Sequence, residues 1–442
     1  DIDGGGLLDF VAAWYVKAAN YITASLPPVG EGPGERARTR CAFVSTNSIS
    51  QGEQVGVLWG WLLSKGMHIH FAHRTFQWNN EARGMAAVHC VIIGFGAFDV
   101  EKKTIFEYED IRGEPHAVSA ENINPYLVDA PDVVLTRRST PICNVPEIGI
   151  GSQPIDDGNY LFSTEERDEF LKREPEAAKY FHRWLGADEF LNGYERWCLW
   201  LGDCPPNKLR QMPEALKRVD AVRMFRLASK RKQTLAAAET PTHFGTELIP
   251  KWPYLLIPEV SSERRQFIPV GFESPDTFCS NLVRMLPDAT LYHFGLLSST
   301  MHNAWVRSVA GRLESRYRYS AHIVYNNFPW PDQPSDAQRE KIEAAAQAVL
   351  DARAQFPNAT LADLYDPLTM PPVLVKAHQM LDAAVDAAYG KKGFKNDAER
   401  VSFLFDLYLK YTTLLPGSAN AIGHDKPSTS AKRKSKRAKA EN

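Results

Sequence analysis

The segment that most constrains the fold is a run of apolar residues, HCVIIGFGAF, at residues 89–98. Its side chains are apolar on both alternating faces, which is typical of an interior strand in a sheet that is covered on both sides. Two other β-rich runs, RCAFVST (40–46) and MHIHFA (67–72), and two helical patterns, at 9–22 and 51–66, accompany it. This alternation of strands and helices predicts an α/β region over residues 1–125.

The rest of the chain divides by composition and periodicity. Residues 126–150 are irregular and contain proline, which predicts a linker. Residues 151–334 mix short helices, short strands and turns, as in an α+β region. Residues 335–415 have helical periodicity, with Ser335 as the predicted N-cap of the first helix. Residues 416–442 are rich in serine, lysine and arginine and lack apolar periodicity, so we expect a disordered basic tail.

Several classes of protein are disfavoured by motifs that the sequence lacks. No apolar run reaches the roughly 18 residues of a membrane-spanning helix and no signal peptide is evident, so we expect a cytoplasmic protein with no membrane partner. No CxxC pair or histidine cluster has metal-ligand spacing, so no metal site is predicted. GxSxG, HExxH and Walker motifs are missing, which leaves a hydrolase without support. The chain starts with Asp rather than Met, and we expect a fragment of a longer protein.

One stretch, residues 207–235, concentrates positive charge, with nine lysine and arginine residues against Glu214 and Asp220. Such side chains contact DNA phosphates, which position a protein on the duplex without specifying sequence. We predict DNA backbone contacts from Arg223, Arg226, Lys230 and Arg231 in this stretch, and from Arg264 in SSERR (261–265). The alternative interpretation of the stretch is a solvated helical face.

A second basic segment, GRLESRYRYS (311–320), places Arg312, Glu314, Arg316 and Arg318 at alternate positions. A period of two predicts one extended segment that projects these four side chains from the same face. Arginine pairs with guanine O6 and N7 in the major groove, and glutamate accepts from the cytosine amino group. A glutamate would be repelled by phosphate, so its presence favours base readout. The alternative is a surface ladder of ion pairs between Glu314 and its arginine neighbours.

Seven stretches, in one consistent order, resemble the MmeI-like, or type IIL, restriction–modification proteins. They are FVSTNSISQGEQV (43–55), FAHRTFQWNNEA (71–82), SQPIDDGNY (152–160), RWCLWL (196–201), SSERRQFIPVGF (261–272), GRLESRYRYSAHIVYNNFPWP (311–331) and LADLYDP (361–367). In that family one long chain joins a nuclease, an N6-adenine methyltransferase, a target-recognition domain and a helical C-terminal domain. The resemblance implies the C-terminal part of a Rossmann-like class I methyltransferase sheet, then an α+β target-recognition domain at 151–334 and an all-α C-terminal domain at 335–415.

The resemblance also implies roles for residues of the second basic segment. The Glu-x-Arg pair of this motif corresponds to the residues that specify the base beside the methylated adenine, which here are Glu314 and Arg316. Arg318 matches a further specificity position, with Leu282 as its expected partner, and Arg312 is assigned to the DNA backbone. Double-stranded DNA is therefore the expected partner, and a C·G pair beside the target adenine is the expected feature of its sequence.

Enzymes of this kind flip the target base out of the duplex and stack it on an aromatic side chain. In related N6-adenine enzymes that aromatic lies at the end of a late strand, which suggests Phe76 or Trp78 of FAHRTFQW here. The two residues are on the same side if the strand continues through them. The alternative is that both are core aromatics that pack a helix against the sheet.

The chain departs from the family pattern at the catalytic motifs. It contains neither the glycine-rich motif that holds S-adenosyl-L-methionine after a first strand nor the Asn-Pro-Pro-aromatic motif that binds the adenine amino group. The glycine-rich start at residues 1–6 is no substitute, because no strand precedes it. We therefore expect S-adenosyl-L-methionine to bind largely upstream, no methylation by this chain alone, and a missing N-terminal methyltransferase half as a partner. The alternative function is that of a non-catalytic DNA-binding or adaptor protein.

Overall fold

The structure, a computed structural model, describes residues 2–24, 39–78 and 88–414, so the predicted tail at 416–442 lies outside the described residues. The helices are α1 (Ala12–Ala24), α2 (Glu53–Ser64), α3 (Thr164–Arg173), α4 (Ala187–Asn192), α5 (Pro206–Leu209), α6 (Pro213–Leu227), α7 (Lys232–Ala236), α8 (Leu291–Ser298), α9 (Thr300–Val309), α10 (Asp336–Ala354), α11 (Leu361–Leu364), α12 (Pro372–Ala388) and α13 (Asp397–Leu414). The strands are β1 (Arg40–Thr46), β2 (His68–Trp78), β3 (Val88–Gly96), β4 (Lys103–Glu107), β5 (His116–Ala120), β6 (Gly149–Ile150), β7 (Leu161–Phe162), β8 (Phe181–Leu185), β9 (Trp197–Leu199), β10 (Tyr254–Pro258), β11 (Val260–Ser261), β12 (Gly271–Glu273), β13 (Thr277–Cys279), β14 (Val283–Pro287), β15 (Gly311–Leu313) and β16 (Arg316–Arg318).

The first sheet has the strand order β1-β3-β2-β4-β5 within the described residues. β3 lies between β1 and β2 and is antiparallel to both, which confirms the prediction of an interior strand, while β2 and β4 run parallel. Helices α1 and α2 cover one face, where Tyr15 stacks on Phe95 with ring centroids 5.4 Å apart and Trp59 meets Phe95 edge-on at 6.5 Å. β1 ends the strand order, so its outer edge has no strand partner in the described part of the chain.

Strand β2 continues to Trp78, beyond the predicted end at residue 72, and contains a bulge. His73 lies opposite Ile92 of β3, whereas Phe76 lies opposite Cys90, so β2 has one extra residue between these pairs. A bulge bends the strand and redirects the side chains that come after it. Phe76 and Trp78 both come after this bulge, at the end of β2.

The predicted linker at 126–150 is irregular until β6, but it is packed rather than loose. Tyr126, Val128 and Leu135 are at most 4% exposed and belong to the same hydrophobic core as the first sheet. The Tyr126 hydroxyl accepts a hydrogen bond from the Leu135 N–H at 3.0 Å. This segment therefore joins the first sheet firmly to the region that begins at β6.

The region from β6 to β16 mixes strands and helices, as the sequence predicts. Its strands form sheets with the orders β12-β10-β14-β6, β13-β8-β9-β7 and β11-β16-β15. A separate hydrophobic core that includes Phe162, Trp184 and Val222 lies beneath α6. This region thus has its own sheets, and part of it has its own core, whereas β10, α8 and α9 contribute side chains to the same core as the first sheet.

The C-terminal region is helical from residue 336, and the predicted N-cap is confirmed. The Ser335 hydroxyl accepts from the Gln338 N–H, and the Gln338 side chain bonds back to the Ser335 N–H, which forms a capping box. In the junction with α9, the Asp382 carboxylate accepts from the Thr300 N–H at 2.7 Å and from its hydroxyl at 2.6 Å.

Among the described helices, none has both the length and the apolar character needed to cross a membrane.

Candidate nucleic-acid interface

The basic segment at 311–318 is a β-hairpin, which we call the arginine hairpin. β15 and β16 pair with Leu313 opposite Arg316 and Arg312 opposite Tyr317, and they are joined by the two residues Glu314 and Ser315. The prediction of one extended segment is therefore wrong, because the chain reverses at Glu314, where φ is 59°. A positive φ is unusual for a residue with a side chain and stores strain in the turn.

The reversal separates the four charged side chains that the alternation placed on one face. Arg312 is paired with Tyr317, and its guanidinium lies 3.9 Å from the centre of the Tyr317 ring. Opposed residues in a hairpin point to the same side, so Arg312 shares its side with Tyr317 and not with Arg316 or Arg318. Arg312 also donates to the Ser315 carbonyl at 2.8 Å, across the turn.

The tip of the arginine hairpin exposes Glu314 and Arg316. Their side chains are 78% and 45% exposed, and Arg316 Nη2 lies 2.9 Å from Glu314 Oε2. The ion pair of the alternative interpretation is thus present in the structure. An exposed pair of this kind contributes about 0–1 kcal/mol to stability. Replacing it with hydrogen bonds to base edges would cost the fold little.

Arg318 is held by a buried carboxylate that the sequence analysis missed. Glu259 is 6% exposed, and its carboxylate accepts from Arg318 Nε at 2.8 Å and lies 3.0 Å from Arg284 Nη2. Burial lowers the pKa of the Arg284 guanidinium, and the adjacent Glu259 carboxylate opposes that shift. We call these three residues the Glu259 cluster. Glu259 comes directly after the fully buried strand β10, and a carboxylate at that point signals a buried ion pair.

Leu282, the expected partner of Arg318, lies beside the same cluster. The Glu259 N–H donates to the Leu282 carbonyl at 3.0 Å, and Leu282 is 56% exposed. The structure therefore brings Leu282 and Arg318 into contact with the same residue, Glu259. Both remain predictions as base-contacting residues.

The base of the arginine hairpin is fixed to the N-terminus of α2. The Gly52 N–H donates to the Val309 carbonyl at 3.0 Å. Gly52 has a φ of 63°, and a Cβ atom there would lie 3.0 Å from the Gly311 Cα. Gly52 thus allows the backbones of the first sheet region and the hairpin to touch.

A cleft of about 450 Å³ lies between the ends of β2 and β4, helix α9 and the arginine hairpin. Buried polar atoms on its walls lack a hydrogen-bond partner among the described residues: Gln51 Oε1, Ser308 Oγ and Arg312 Nε. Buried polar atoms are normally satisfied, so three of them on one cleft indicate groups that a ligand or water would bond. We call this feature the central cleft.

Phe76 and Trp78 lie close together, with ring centroids 6.2 Å apart, as the prediction of a shared side requires. Trp78 is 46% exposed, which excludes a core position for it in this structure. Phe76 is partly buried and stacks on Tyr108 at 5.3 Å, and Tyr108 also lines the central cleft. The Tyr108 hydroxyl is 2.8 Å from His73 Nδ1, and burial lowers the pKa of His73, which favours the neutral ring.

One predicted phosphate contact, Arg226, is wrong. Its side chain is fully buried and donates to the backbone carbonyls of Pro154, Ile155, Ala237, Thr240 and His243 at 2.8–3.2 Å. All five acceptors lie in loops beside α6, so Arg226 is a structural residue. The remaining predicted contacts in this stretch, Arg223, Lys230 and Arg231, are exposed.

Arg264 and the glycine-rich start are also placed by the structure. Arg264 is exposed in the loop after β11, the strand that pairs with β16 of the arginine hairpin.

The start of the chain makes a single turn at Gly5–Leu7, and a Cβ atom at Gly4 would meet Val57 of α2. Gly4 therefore packs against a helix and is not part of a cofactor loop, so the start of the chain does not fit an S-adenosyl-L-methionine site.

Comparison with known proteins gives consistent matches along the chain. Family models match for the MmeI DNA-methyltransferase domain at residues 2–107, the MmeI target recognition domain at 129–332 and the MmeI C-terminal domain at 334–416. DNA methyltransferase A of Bacillus subtilis (strain 168) is 38% identical over 411 residues, which cover 93% of this chain and 45% of that protein. The solved structure of the type IIL restriction-modification enzyme MmeI in complex with DNA matches with a TM-score of 0.83 and 54% identity, over 92% of this chain and 53% of that one. The chain spans about half the length of these relatives.

Proposed function

Because the chain belongs to the MmeI family, with methyltransferase, target-recognition and C-terminal domains, we propose that it recognises a DNA sequence and positions an adenine in it for N6-methylation. The observation that carries this proposal is the arginine hairpin. It presents an exposed glutamate and an exposed arginine at its tip, while the arginine behind them is anchored to a buried carboxylate.

The tip has the chemistry needed to read a C·G pair. Arg316 has paired donors for guanine O6 and N7, and Glu314 has acceptors for the cytosine amino group. The two side chains are 2.9 Å apart, a spacing that suits groups on one base pair. Arg318, held through its Nε by Glu259, reads a second position beside Leu282. Anchoring reduces the conformational freedom that Arg318 loses on binding.

The backbone of the duplex runs along the exposed cations around this tip. Arg264 is exposed in the loop after β11, which pairs with the arginine hairpin, and half-buried Arg312 lies within the hairpin; Arg223 on α6 and Lys230 and Arg231 after it are the other exposed cations of this proposal. The orphaned polar atoms of the central cleft bond the DNA strand that passes from the hairpin towards the aromatic pair. Sequence-independent contacts of this type make binding sensitive to salt.

The flipped adenine stacks on the aromatic pair at the end of β2. Trp78 supplies an exposed ring, and Phe76 is supported from behind by Tyr108. A Trp78→Ala or Phe76→Ala variant is compared with wild type on DNA that carries 2-aminopurine at the target position. If the removed ring stacks on the flipped base, the variant changes the fluorescence of the 2-aminopurine. If neither variant changes it, the flipped base does not stack on the aromatic pair.

Methylation requires parts that this chain does not supply. S-adenosyl-L-methionine provides the methyl group in this enzyme class, and we propose that its site lies in the methyltransferase half that the longer relatives carry. That half docks on the open edge of β1 and on α1, where Phe10 is 85% and Trp14 52% exposed. The chain alone binds DNA without methylating it.

The proposed function is tested by exchanging the two tip charges in the full-length enzyme. E314K/R316D keeps the net charge and reverses the hydrogen-bond pattern at the tip, so we expect the preferred base pair beside the adenine to change. Each contact is worth about 1–3 kcal/mol of discrimination. The methylated sites are mapped by sequencing. The control, E169K/K172E, reverses a similar exposed ion pair on α3. An unchanged recognition sequence in E314K/R316D contradicts the assignment.

A further inference from the structure

Four large apolar side chains are exposed close together in sequence, at the end of α6 and in α7. Their exposed fractions are 66% for Met224, 41% for Phe225, 47% for Leu227 and 44% for Leu235. Exposed cations lie among them: Arg223, Lys230, Arg231 and Lys232. We call these eight residues the apolar-basic patch. Single exposed apolar residues are ordinary, whereas a group of them marks an interaction site.

The apolar side chains of α6 are not displaced members of its core. The buried face of the helix is formed by Ala215, Val219, Val222 and Arg226. Met224 is two residues from both Val222 and Arg226, so helical geometry places it on the opposite side. The five hydrogen bonds of Arg226 fix this end of α6 to the neighbouring loops. A rigid element therefore presents the apolar side chains to solvent.

The charge of the patch is of one sign. Residues 221–238 contain no aspartate or glutamate, and the nearest acids are Asp220 and Glu239. The four cations of the patch form no ion pair with any described residue. Earlier on the same helix, Lys217 pairs with Glu214 at 2.7 Å. The end of α6 and α7 thus combine uncompensated positive charge with apolar surface.

We propose that the apolar-basic patch binds the minor groove of duplex DNA and inserts Met224 and Phe225 between base pairs as a wedge. The proposal rests on the proposed function, because it takes the same duplex as the ligand. Arg223, Lys230, Arg231 and Lys232 neutralise the phosphates on either side. Proteins that insert apolar side chains in this way unstack a base step and kink the duplex by roughly 20–90°.

Charge complementarity decides for DNA over a protein partner. The four cations need an acidic surface, and the apolar side chains need an apolar one, within the same small area. A base step exposed in the minor groove, flanked by two phosphate backbones, supplies both. A kink of this kind also wraps more of the duplex onto the protein, which compensates for the disrupted stacking.

The test separates the apolar and basic parts of the patch. The 442-residue chain is titrated with a duplex labelled at both ends, with binding followed by anisotropy and bending by energy transfer. M224S/F225S is expected to weaken binding about tenfold and to straighten the duplex, with the salt dependence unchanged. R223Q/R231Q is expected to reduce the slope of log K against log salt by about 0.9 for each phosphate that is no longer neutralised.

The matched control is Leu368→Ser, which changes an 83% exposed leucine of the C-terminal region. If M224S/F225S binds and bends DNA like wild type, the wedge is wrong. If light scattering shows that this variant loses a dimer that wild type forms, the patch belongs to a second copy and the inference fails. A wild-type chain that binds no DNA would instead overturn the proposed function. Two results together support both the wedge and the proposed function. M224S/F225S no longer bends the duplex, and E314K/R316D changes the recognised sequence.

Discussion

Arg316 and Arg318 of the arginine hairpin differ sharply in environment from Arg226 of α6, although both stretches are dense in positive charge. Arg316 and Arg318 are 45% and 62% exposed, and each faces a carboxylate. Arg226 is fully buried and faces only backbone carbonyls. The exposed groups are available to a ligand, whereas the buried one is fully used by the fold. Charge density along the sequence therefore indicates a site only after burial has been taken into account.

The largest effect is expected at Arg226. Arg226→Met retains much of the side-chain volume but leaves five backbone carbonyls without their donor, and it should lower the free energy of unfolding by about 3–5 kcal/mol. Urea unfolding followed by circular dichroism measures this change. The control, Arg223→Gln, lies on the same helix and is exposed, so it should change stability by less than about 0.5 kcal/mol. Equal losses of stability in Arg226→Met and Arg223→Gln would contradict the difference between the buried and the exposed arginine.

A smaller effect on stability is expected at Glu259, a buried carboxylate that contacts both the exposed Arg318 and the largely buried Arg284. Glu259→Gln leaves the largely buried Arg284 without a counter-charge and should cost about 2 kcal/mol of stability. It should also relax discrimination at the base read by Arg318, because the side chain loses its anchor. Unfolding and methylation-site mapping measure the two consequences. Glu263→Gln is the matched control in the following loop. Unaltered specificity at the Arg318 position would show that the anchor is dispensable.

The smallest effect on stability is expected at the hairpin tip. Removing the Glu314–Arg316 pair with E314Q, R316Q and the double variant should give a coupling energy of no more than about 0.5 kcal/mol in unfolding experiments. The same variants should lose most discrimination for the C·G pair when DNA binding is measured. A coupling energy of several kcal/mol would assign the pair to the fold and support the alternative interpretation of a structural ion pair.

Elements with strong local signals were predictable from the sequence. Strand β1 occupies the predicted residues 40–46, and α2 lies within the predicted 51–66. Gly66 adopts a φ of 73° just after α2, as the predicted helix stop requires. Ser335 caps α10 through the side chain expected from its position. In each case residues near in sequence determine the outcome.

The incorrect predictions depend on contacts between distant residues. The alternation of the arginine hairpin has the period of a single strand, but its second strand, β16, also pairs with the distant β11, where Val260 lies opposite Arg318. Arg226 is buried because loops 71 and 17 residues away supply its acceptors. Glu259 meets Arg318 across 59 residues. Local periodicity contains no information about such partners, so the buried charges of the candidate site were not predictable.

The contact between Gly52 and Gly311 separates the part of the arginine hairpin that can vary from the part that cannot. A side chain at Gly52 would strike the backbone of Gly311, whereas the side chains of Glu314 and Arg316 at the tip are exposed. A library randomised at the tip should therefore contain many folded members with different sequence preferences. A library randomised at Gly52 should contain few folded members of any preference. The recognised DNA sequence can then change through substitutions at the tip alone, without insertions, deletions or changes to the rest of the fold.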